Sequence, residues 1–303
     1  MTIIITGASG FVGNNLVQSL QRSGKAVKPV SLRNVDWKNQ IPKDGDAIIH
    51  LAGKAHDTTN RSHKEEEYFH VNRDLTIRIF KQFLDSNITD FFFFSSVKAV
   101  ADTVDQSLSE ENIPSPLTPY GKSKLAAENY LTAQNLPKDK RLFILRPCMI
   151  HGPGNKGNLN LLYKLAKKGV PWPLAAFENK RSFLSIDNLC YLVIQMLNNP
   201  EIRSGIYNLA DDIPLSTNEL ITLIAKLEDK RPRLWAIPPG LINGLAKIGD
   251  TLRFMPLNSE RLKKLTESYV VSNQKIKKEL NIERLPVSSV EGLQKTIKSF
   301  QNK

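Results

Sequence analysis

The sequence predicts an α/β fold, in which a doubly wound parallel sheet is followed by a smaller C-terminal lobe. Through the first 150 residues, short apolar runs alternate with segments of helical periodicity, which is typical of βα units and a parallel sheet. The apolar runs are rich in β-branched and aromatic residues, as strands buried on both faces are. After Pro147 the pattern loosens, with Gly-Pro-Gly at 152–154 and Pro-Trp-Pro at 171–173.

The predicted elements follow in order along the chain. Strands are predicted at 3–6, 27–32, 47–52, 91–95 and 142–146, and helices between them at 11–22, 66–85 and 120–135. The later half is predicted to hold helices at 158–168, 189–198 and 217–227, and a short strand near 205–210 that returns to the main sheet. We therefore expect a first domain of residues 1–150 with a returning segment near 183–212, and a second lobe formed mainly by residues 151–303.

Length and composition predict a cytoplasmic globular protein. The 303 residues are 41% hydrophobic, which is enough for a large buried core. The two cysteines, Cys148 and Cys190, form no disulfide framework and fit a reducing compartment. The N-terminus lacks the cationic region of a signal peptide, and no uncharged run approaches the length of a membrane span. We therefore predict no stable membrane insertion and interpret the apolar stretch 234–246 as a lid or core helix.

The net charge of +12 predicts a solvated basic surface rather than a nucleic-acid interface. Lysines are spread over the whole chain, often beside acids, and no basic stripe is interleaved with aromatic residues as single-strand binding requires. Cysteine, histidine and aspartate residues do not cluster with the spacing of metal ligands, so no metal site is predicted.

A glycine-rich segment, Thr-Gly-Ala-Ser-Gly-Phe-Val-Gly at 6–13, lies between the first strand and the first helix. Glycine at these positions permits a tight turn, close approach of backbone to a pyrophosphate, and close packing of helix on strand. The free N–H groups at the start of the helix favour phosphate. The segment therefore predicts a Rossmann-type dinucleotide site, with contacts from Gly7, Ser9, Gly10, Phe11, Val12 and Gly13.

The end of the second strand distinguishes the two nicotinamide cofactors. An acid there binds the ribose hydroxyls of NAD, whereas an arginine accommodates the 2′-phosphate of NADP. The strand ends in Ser-Leu-Arg33, and the first acid after it is Asp36. This pattern favours NADP over NAD, with Asp36 as the residue that would take the acidic role if NAD is bound.

Two groups of polar residues are candidates for catalysis. Tyr120 and Lys124 stand four residues apart on a predicted helix, so both side chains lie on one face. We expect the ammonium of Lys124 to lower the pKa of the Tyr120 phenol and to hold the cofactor ribose. Ser95 and Ser96 end a strand, where open parallel sheets bind their ligands, and a hydroxyl there can polarise a reacting oxygen.

Together these motifs resemble the extended short-chain dehydrogenase/reductase family, in its NAD-dependent epimerase/dehydratase branch. The resemblance covers nearly the whole chain and includes TGASGFVG at 6–13, HLAG at 50–53, SS at 95–96, YGKSK at 120–124 and LRPCMIHGPG at 145–154. It implies that Ser96, Tyr120 and Lys124 form a catalytic triad and that Asn72 is structural. It also implies cofactor contacts from Leu51, Ala52, Gly53, Lys124 and Pro147.

The resemblance implies a nucleotide-sugar substrate. Arg181 matches an arginine that contacts the substrate diphosphate in such enzymes, and the other predicted substrate contacts are Ser96, His56, Lys98 and Asn158. Sugar dehydratases of this branch carry two acids directly after the catalytic hydroxyl residue. Because Val97 and Lys98 occupy those places, 4,6-dehydration is not expected.

The favoured function is NADPH-dependent reduction of a UDP-4-keto-6-deoxy-N-acetylhexosamine at C4, with Tyr120 as the proton donor. The alternative is a UDP-hexose or UDP-N-acetylhexosamine 4-epimerase, which would use the same groups in both directions. A non-enzymatic NADP-binding sensor on this fold is a remote alternative, because such proteins can dispense with the tyrosine and lysine that this chain has. The resemblance also implies a possible homodimer through a bundle that includes the helix of Tyr120.

Overall fold

The computed structural model describes residues 1–34, 36–55, 65–155, 158–251 and 257–301, with the backbone alone at Asn158. Within these ranges the strands are β1 (Thr2–Thr6), β2 (Ala26–Val30), β3 (Ala47–His50), β4 (Asp90–Phe94), β5 (Ser107–Leu108), β6 (Arg141–Pro147), β7 (Met149–His151), β8 (Phe183–Ser185), β9 (Gly205–Leu209) and β10 (Val270–Val271).

The helices of the same ranges are α1 (Phe11–Arg22), α2 (Trp37–Gln40), α3 (Glu65–Phe69), α4 (Leu75–Leu84), α5 (Pro119–Thr132), α6 (Asn158–Lys167), α7 (Ile186–Asn198), α8 (Thr217–Leu227), α9 (Pro239–Thr251), α10 (Ser259–Thr266), α11 (Gln274–Leu280) and α12 (Ser289–Gln301). A π-helical turn (His70–Asp74) joins α3 to α4, and a 3₁₀ turn (Val97–Ala99) follows β4.

Six strands form one parallel sheet in the order β2-β1-β3-β4-β6-β9, which confirms the predicted fold. The chain runs outward from β1 to β2 and then returns to place β3 on the other side of β1. The strand order therefore reverses between β1 and β3, the point where open α/β sheets bind their ligands. The strand at Gly205–Leu209 pairs with β6 and forms the far edge of the sheet.

Side chains alternate between the two faces of the sheet and build a core on each. Ile3 and Ile5 of β1 belong to the core under α1 and α7, whereas Ile4 packs with phenylalanines of α4 and β4. A third apolar core lies in the C-terminal lobe, between α6, α8, α9 and α12. The lobe is joined to the sheet by β7, which pairs with β8, and by β5, which pairs with β10.

Three sequence expectations about local structure are wrong in detail. The helix predicted at 66–85 is interrupted by the π turn at His70–Asp74, which inserts an extra residue and buries Asn72. The second strand is not buried on both faces, because β2 lies at the sheet edge and leaves Lys28 and Pro29 exposed. The helix predicted from 189 begins at Ile186, where the Ser185 hydroxyl caps it by accepting from Asn188 N–H at 3.1 Å.

The apolar stretch at 234–246 contributes Ile242 and Ala246 to the core of the C-terminal lobe, as expected for a core helix, but it is not buried along its whole length. Trp235 pairs by backbone hydrogen bonds with Trp172 and Ala175, and α9 follows with one face buried and the other exposed. Among the described residues, no helix combines the length and apolar character that crossing a bilayer requires.

Candidate functional site

The phosphate-binding loop lies between β1 and α1. Gly7 has a φ of +74°, in the left-handed region, and a Cβ there would lie 2.6 Å from the backbone nitrogen of Ala52. A Cβ on Gly13 would lie 2.3 Å from the carbonyl oxygen of Gly7, so only glycine lets the helix approach the loop this closely. No side chain caps α1 at Gly10, which leaves the amides of the first turn available to an anion.

The loop after β3 packs against the glycine-rich loop. The amide of Leu51 donates to the carbonyl of Thr6 at 3.1 Å, and Ala52 packs against Gly7 as described above. The predicted cofactor residues Gly7, Ser9, Gly10, Phe11, Val12, Gly13, Leu51, Ala52 and Gly53 therefore lie around the point where the strand order reverses. Backbone N–H groups that are free at the start of a helix, next to a second loop that contains glycine, are suited to bind the pyrophosphate of a dinucleotide.

Asn72 connects the loop after β3 to helix α5. Its side chain accepts a hydrogen bond from the amide of Lys54 at 2.8 Å and donates to the Lys54 carbonyl at 3.0 Å. It also donates to the Ser123 hydroxyl at 2.9 Å, and Ser123 directly precedes Lys124. The π turn buries Asn72 completely and provides the geometry for these three bonds.

The catalytic helix α5 begins immediately before Tyr120. Thr118 caps it by accepting from the amide of Gly121 at 3.2 Å, and Pro119 occupies the first helical position. A Cβ on Gly121 would lie 2.3 Å from the carbonyl oxygen of Lys98, so the start of α5 packs directly on the 3₁₀ turn that follows Ser96. This contact brings Ser96 and Tyr120 together.

The Tyr120 phenol and the Ser96 hydroxyl interact directly. Burial raises the pKa of Tyr120, and the hydrogen bond with Ser96 opposes that rise. Lys124 is not among the groups that shift this pKa, so the expectation that its ammonium lowers the pKa of the phenol is wrong for the protein without bound ligands. Desolvation dominates because Tyr120 is held against the protein interior.

Lys124 is buried one helical turn after Tyr120. Its ammonium donates to the carbonyl of Phe94 at 2.7 Å and lies 4.8 Å from the centre of the Phe93 ring. Burial lowers the pKa of Lys124 to about 8, and the negative charge of Glu128 acts in the opposite direction. The ammonium of Lys124 therefore remains largely protonated at neutral pH.

The sequence did not predict the buried ionic cluster that joins helix α5 to strand β6. The guanidinium of Arg146 donates from Nε to both carboxylate oxygens of Glu128, at 3.0 and 3.1 Å, and the Ser95 hydroxyl donates to the same carboxylate. Glu128 follows Lys124 by four residues on one helix face, but its pairing with Arg146 depends on which strand lies under α5. Ser95 and Ser96 thus differ in role: Ser95 belongs to this cluster and Ser96 faces Tyr120.

The residues that distinguish the cofactors lie beyond the end of β2. Arg33 and Asp36 are both exposed, three and six residues after the last residue of the strand. Pro147 is buried as the last residue of β6.

Two predicted substrate contacts, Lys98 and Arg181, share one environment. The ammonium of Lys98 lies 4.0 Å from the centre of the Tyr269 ring and donates to the carbonyl of Asp102 at 2.8 Å. Burial lowers the pKa of Lys98 and of Arg181, whereas the negative charge of Glu267 raises the pKa of both groups. Arg181 also repels Lys98 electrostatically, which indicates a site with two cations near one another.

Two further predicted contacts cannot be placed. His56 lies outside the described residues, and the side chain of Asn158 does too, although the backbone of Asn158 begins α6. Within the described part of the chain, no group of three or more metal-ligating side chains could hold a metal ion.

Comparisons with known proteins agree with this architecture. The sequence pattern of the NAD dependent epimerase/dehydratase family matches residues 3–210. The UDP-glucose 4-epimerase of Vibrio cholerae is 31% identical over 261 residues, which cover 78% of this chain and 78% of that protein. The N-acetyl-alpha-D-glucosaminyl-diphospho-ditrans,octacis-undecaprenol 4-epimerase of Escherichia coli O157:H7 is 25% identical over 302 residues, which cover 91% of this chain and 84% of that protein.

A solved structure of RMD from Pseudomonas aeruginosa, complexed with NADPH, is similar over the whole chain. It covers 100% of this chain and 99% of its own, with a TM-score of 0.76 and 20% sequence identity. At that identity the likeness shows the fold alone.

Proposed function

Because the chain belongs to the NAD-dependent epimerase/dehydratase family, we propose that it reduces a 4-keto nucleotide sugar at C4, with NADPH as the cofactor. The substrate class is a UDP-4-keto-6-deoxy-N-acetylhexosamine. The single observation that carries the chemistry is the placement of Tyr120 beside Ser96 and one helical turn before Lys124, at the edge of the sheet where the cofactor loops meet.

Tyr120 is suited to donate a proton. Its pKa is raised by burial, so the phenol stays protonated at neutral pH and can protonate the oxygen at C4 as that oxygen gains charge. Ser96, which contacts the same phenol, polarises the carbonyl oxygen and holds it at hydrogen-bond distance. The dinucleotide, when bound, supplies the hydride for C4.

Lys124 is positioned to orient the cofactor. Its ammonium lies near the loop after β3, where a Cβ on Gly53 would be 3.1 Å from Nζ. A ribose hydroxyl near Gly53 would therefore be within reach of this donor.

The residues that follow β2 favour the cofactor of a net reduction. Arg33 is an exposed cation just beyond β2, and no acid stands between the end of that strand and Asp36. This arrangement supports NADPH, the usual donor in a net reduction. Lys98 and Arg181 support an anionic substrate such as a nucleoside diphosphate sugar. Val97 and Lys98 occupy the places of the two acids that elimination of water requires.

A second candidate function is epimerisation at C4. Both relatives compared above are named as 4-epimerases, one acting on a UDP-hexose and one on a diphospho-undecaprenol-linked sugar. An epimerase would use Tyr120 to remove the O4 proton and later to return it, and it would retain its cofactor through the cycle. Ser96 and Lys124 would keep the roles given above.

One assay separates the two candidates. Purified protein is mixed with NADPH and a UDP-4-keto-6-deoxy-N-acetylhexosamine, and both the nicotinamide absorbance and the sugar products are followed. The proposal expects one NADPH to be oxidised for each 4-hydroxy sugar that forms. Interconversion of UDP-sugars at C4 without net NADPH oxidation, by protein that retains stoichiometric NAD, would overturn the reductase and establish the epimerase.

A further inference from the structure

The C-terminal lobe exposes apolar side chains that its own core does not cover. Helix α9 buries Ile242 and Ala246 in that core, yet Leu241, Leu245 and Ile248 on its other side are 63%, 47% and 51% exposed. An ordinary surface helix is polar on the face away from the core. Helix α9 is instead apolar on both faces.

The segments beside α9 have the same character. Helix α6 packs Leu159 and Tyr163 into the same core and exposes Leu161 and Leu165, four residues apart. The segment that follows α6 pairs with the segment that precedes α9, because Trp172 hydrogen-bonds through its backbone with Arg233 and Trp235. Trp235 is itself 57% exposed, whereas the other two tryptophans are buried. We call the following set the apolar face: Leu161, Leu165, Val170, Trp235, Leu241, Leu245 and Ile248.

The two stretches that contain the apolar face are basic. Residues 158–177 and 230–249 hold no aspartate or glutamate, although Glu178, Glu228, Asp229 and Asp250 stand at their ends. The same stretches carry the exposed basic residues Lys164, Lys167, Lys168, Lys230, Arg231, Arg233 and Lys247. This concentration contrasts with the rest of the chain, where lysines commonly stand beside acids.

We propose that the apolar face is a docking surface for an anionic phospholipid bilayer. Exposed leucines, an exposed tryptophan and flanking lysines are the combination that inserts shallowly into the headgroup region and pairs with acidic lipids. A second copy of the chain is the less favourable occupant, because self-association would bring two like-charged rims together. The docking is peripheral, and it does not depend on the reaction proposed at C4.

Trp235 gives a direct test. The protein is titrated with vesicles of phosphatidylcholine, with and without phosphatidylglycerol, while the tryptophan emission is recorded and bound protein is separated by flotation. Trp37 and Trp172 are buried, so a blue shift on binding reports Trp235. We expect the shift and the flotation only with phosphatidylglycerol, and we expect both to weaken as salt is added. The shift should disappear in Trp235→Phe.

Matched variants locate the surface. Leu241→Glu combined with Leu245→Glu is expected to lower the bound fraction about tenfold or more. Ile113→Glu combined with Ile213→Glu makes the same change at two exposed apolar residues off the face and should bind as the unaltered protein does. Should the first pair fail to fold, Lys164→Gln with Lys168→Gln replaces it, with Lys43→Gln and Lys138→Gln as its control.

Several outcomes would overturn the proposal. Absence of flotation with anionic vesicles would do so, and so would equal binding to neutral vesicles or equal binding by the Leu241 and Leu245 double variant. A dimer that this double variant dissociates, in protein that binds no vesicles, would assign the face to self-association instead. None of these readouts involves turnover, so they leave the proposed reductase function untouched.

Discussion

The side-chain amide of Asn72 donates a hydrogen bond to the hydroxyl of Ser123 across 2.9 Å, while its oxygen accepts from the amide of Lys54. One buried side chain therefore fixes the distance between the loop after β3 and the helix that carries Tyr120 and Lys124. The resemblance assigned Asn72 only a structural role. Its contacts give it a more specific one, because both of the segments that it joins carry residues that we propose to bind the cofactor.

Asn72→Ala should weaken cofactor binding. The change removes three hydrogen bonds and leaves the Lys54 amide without this acceptor, which costs about 1–3 kcal/mol for each buried group that loses its partner. We expect the Kd for NADPH to rise about tenfold, measured by fluorescence titration. Asn129→Ala, at an exposed position on α5, is the control and should leave the Kd unchanged. An unchanged Kd in Asn72→Ala would show that the link is not needed for binding.

Arg33→Ala should change the preference between the two cofactors. If Arg33 pairs with the 2′-phosphate, its removal should raise the Kd for NADPH about tenfold and leave the Kd for NADH nearly constant. Lys28→Ala removes a neighbouring exposed cation on β2 and serves as the matched control. Equal effects on NADPH and NADH would mean that Arg33 is surface charge and would remove the main support for a reductase.

Glu128→Gln should destabilise the protein. The carboxylate is buried with Arg146, and removing one partner of a buried ion pair costs about 3–5 kcal/mol because the other charge is left uncompensated. Urea unfolding should show this loss, and the double variant Glu128→Gln with Arg146→Met should recover part of it. A double variant no more stable than Glu128→Gln would contradict the pairing as the cause.

Cofactor affinity should fall as the pH rises through about 8. Burial lowers the pKa of Lys124 to about 8, so its ammonium loses its proton in that range and no longer donates with a full charge to the cofactor ribose. The Kd for NADPH, measured at several pH values from neutral to alkaline, should rise above that midpoint. Tyr120→Phe should keep the same pH dependence, since the phenol titrates at higher pH. A Kd that is constant through pH 8 would exclude this role for the ammonium.

The fold, and the grouping of the candidate catalytic residues on one helix, were predictable from the sequence because they depend on local patterns. The spacing of Gly7, Gly10 and Gly13 and the alternation of strands with helices specified the sheet and its cofactor loop. The Tyr120–Lys124 spacing specified a shared helix face, and the comparison with solved structures bears out the fold.

The remaining features depend on contacts between distant segments, and local patterns could not reveal them. The π turn at Asn72 has no distinct composition, and the pairing of Glu128 with Arg146 requires knowledge of which strand lies under α5. The pKa of Tyr120 was misjudged for the same reason. The spacing of Tyr120 and Lys124 says nothing about how far burial outweighs a neighbouring charge.

The most direct test of the central claim is the turnover of Tyr120→Phe. NADPH oxidation is measured with a UDP-4-keto-6-deoxy-N-acetylhexosamine, and NADPH binding is measured on the same preparation. Loss of a positioned proton donor should lower turnover about 10²- to 10⁴-fold, while the Kd for NADPH stays close to that of the unaltered protein. Turnover that persists at the original rate in Tyr120→Phe would contradict the assignment of Tyr120 as the proton donor.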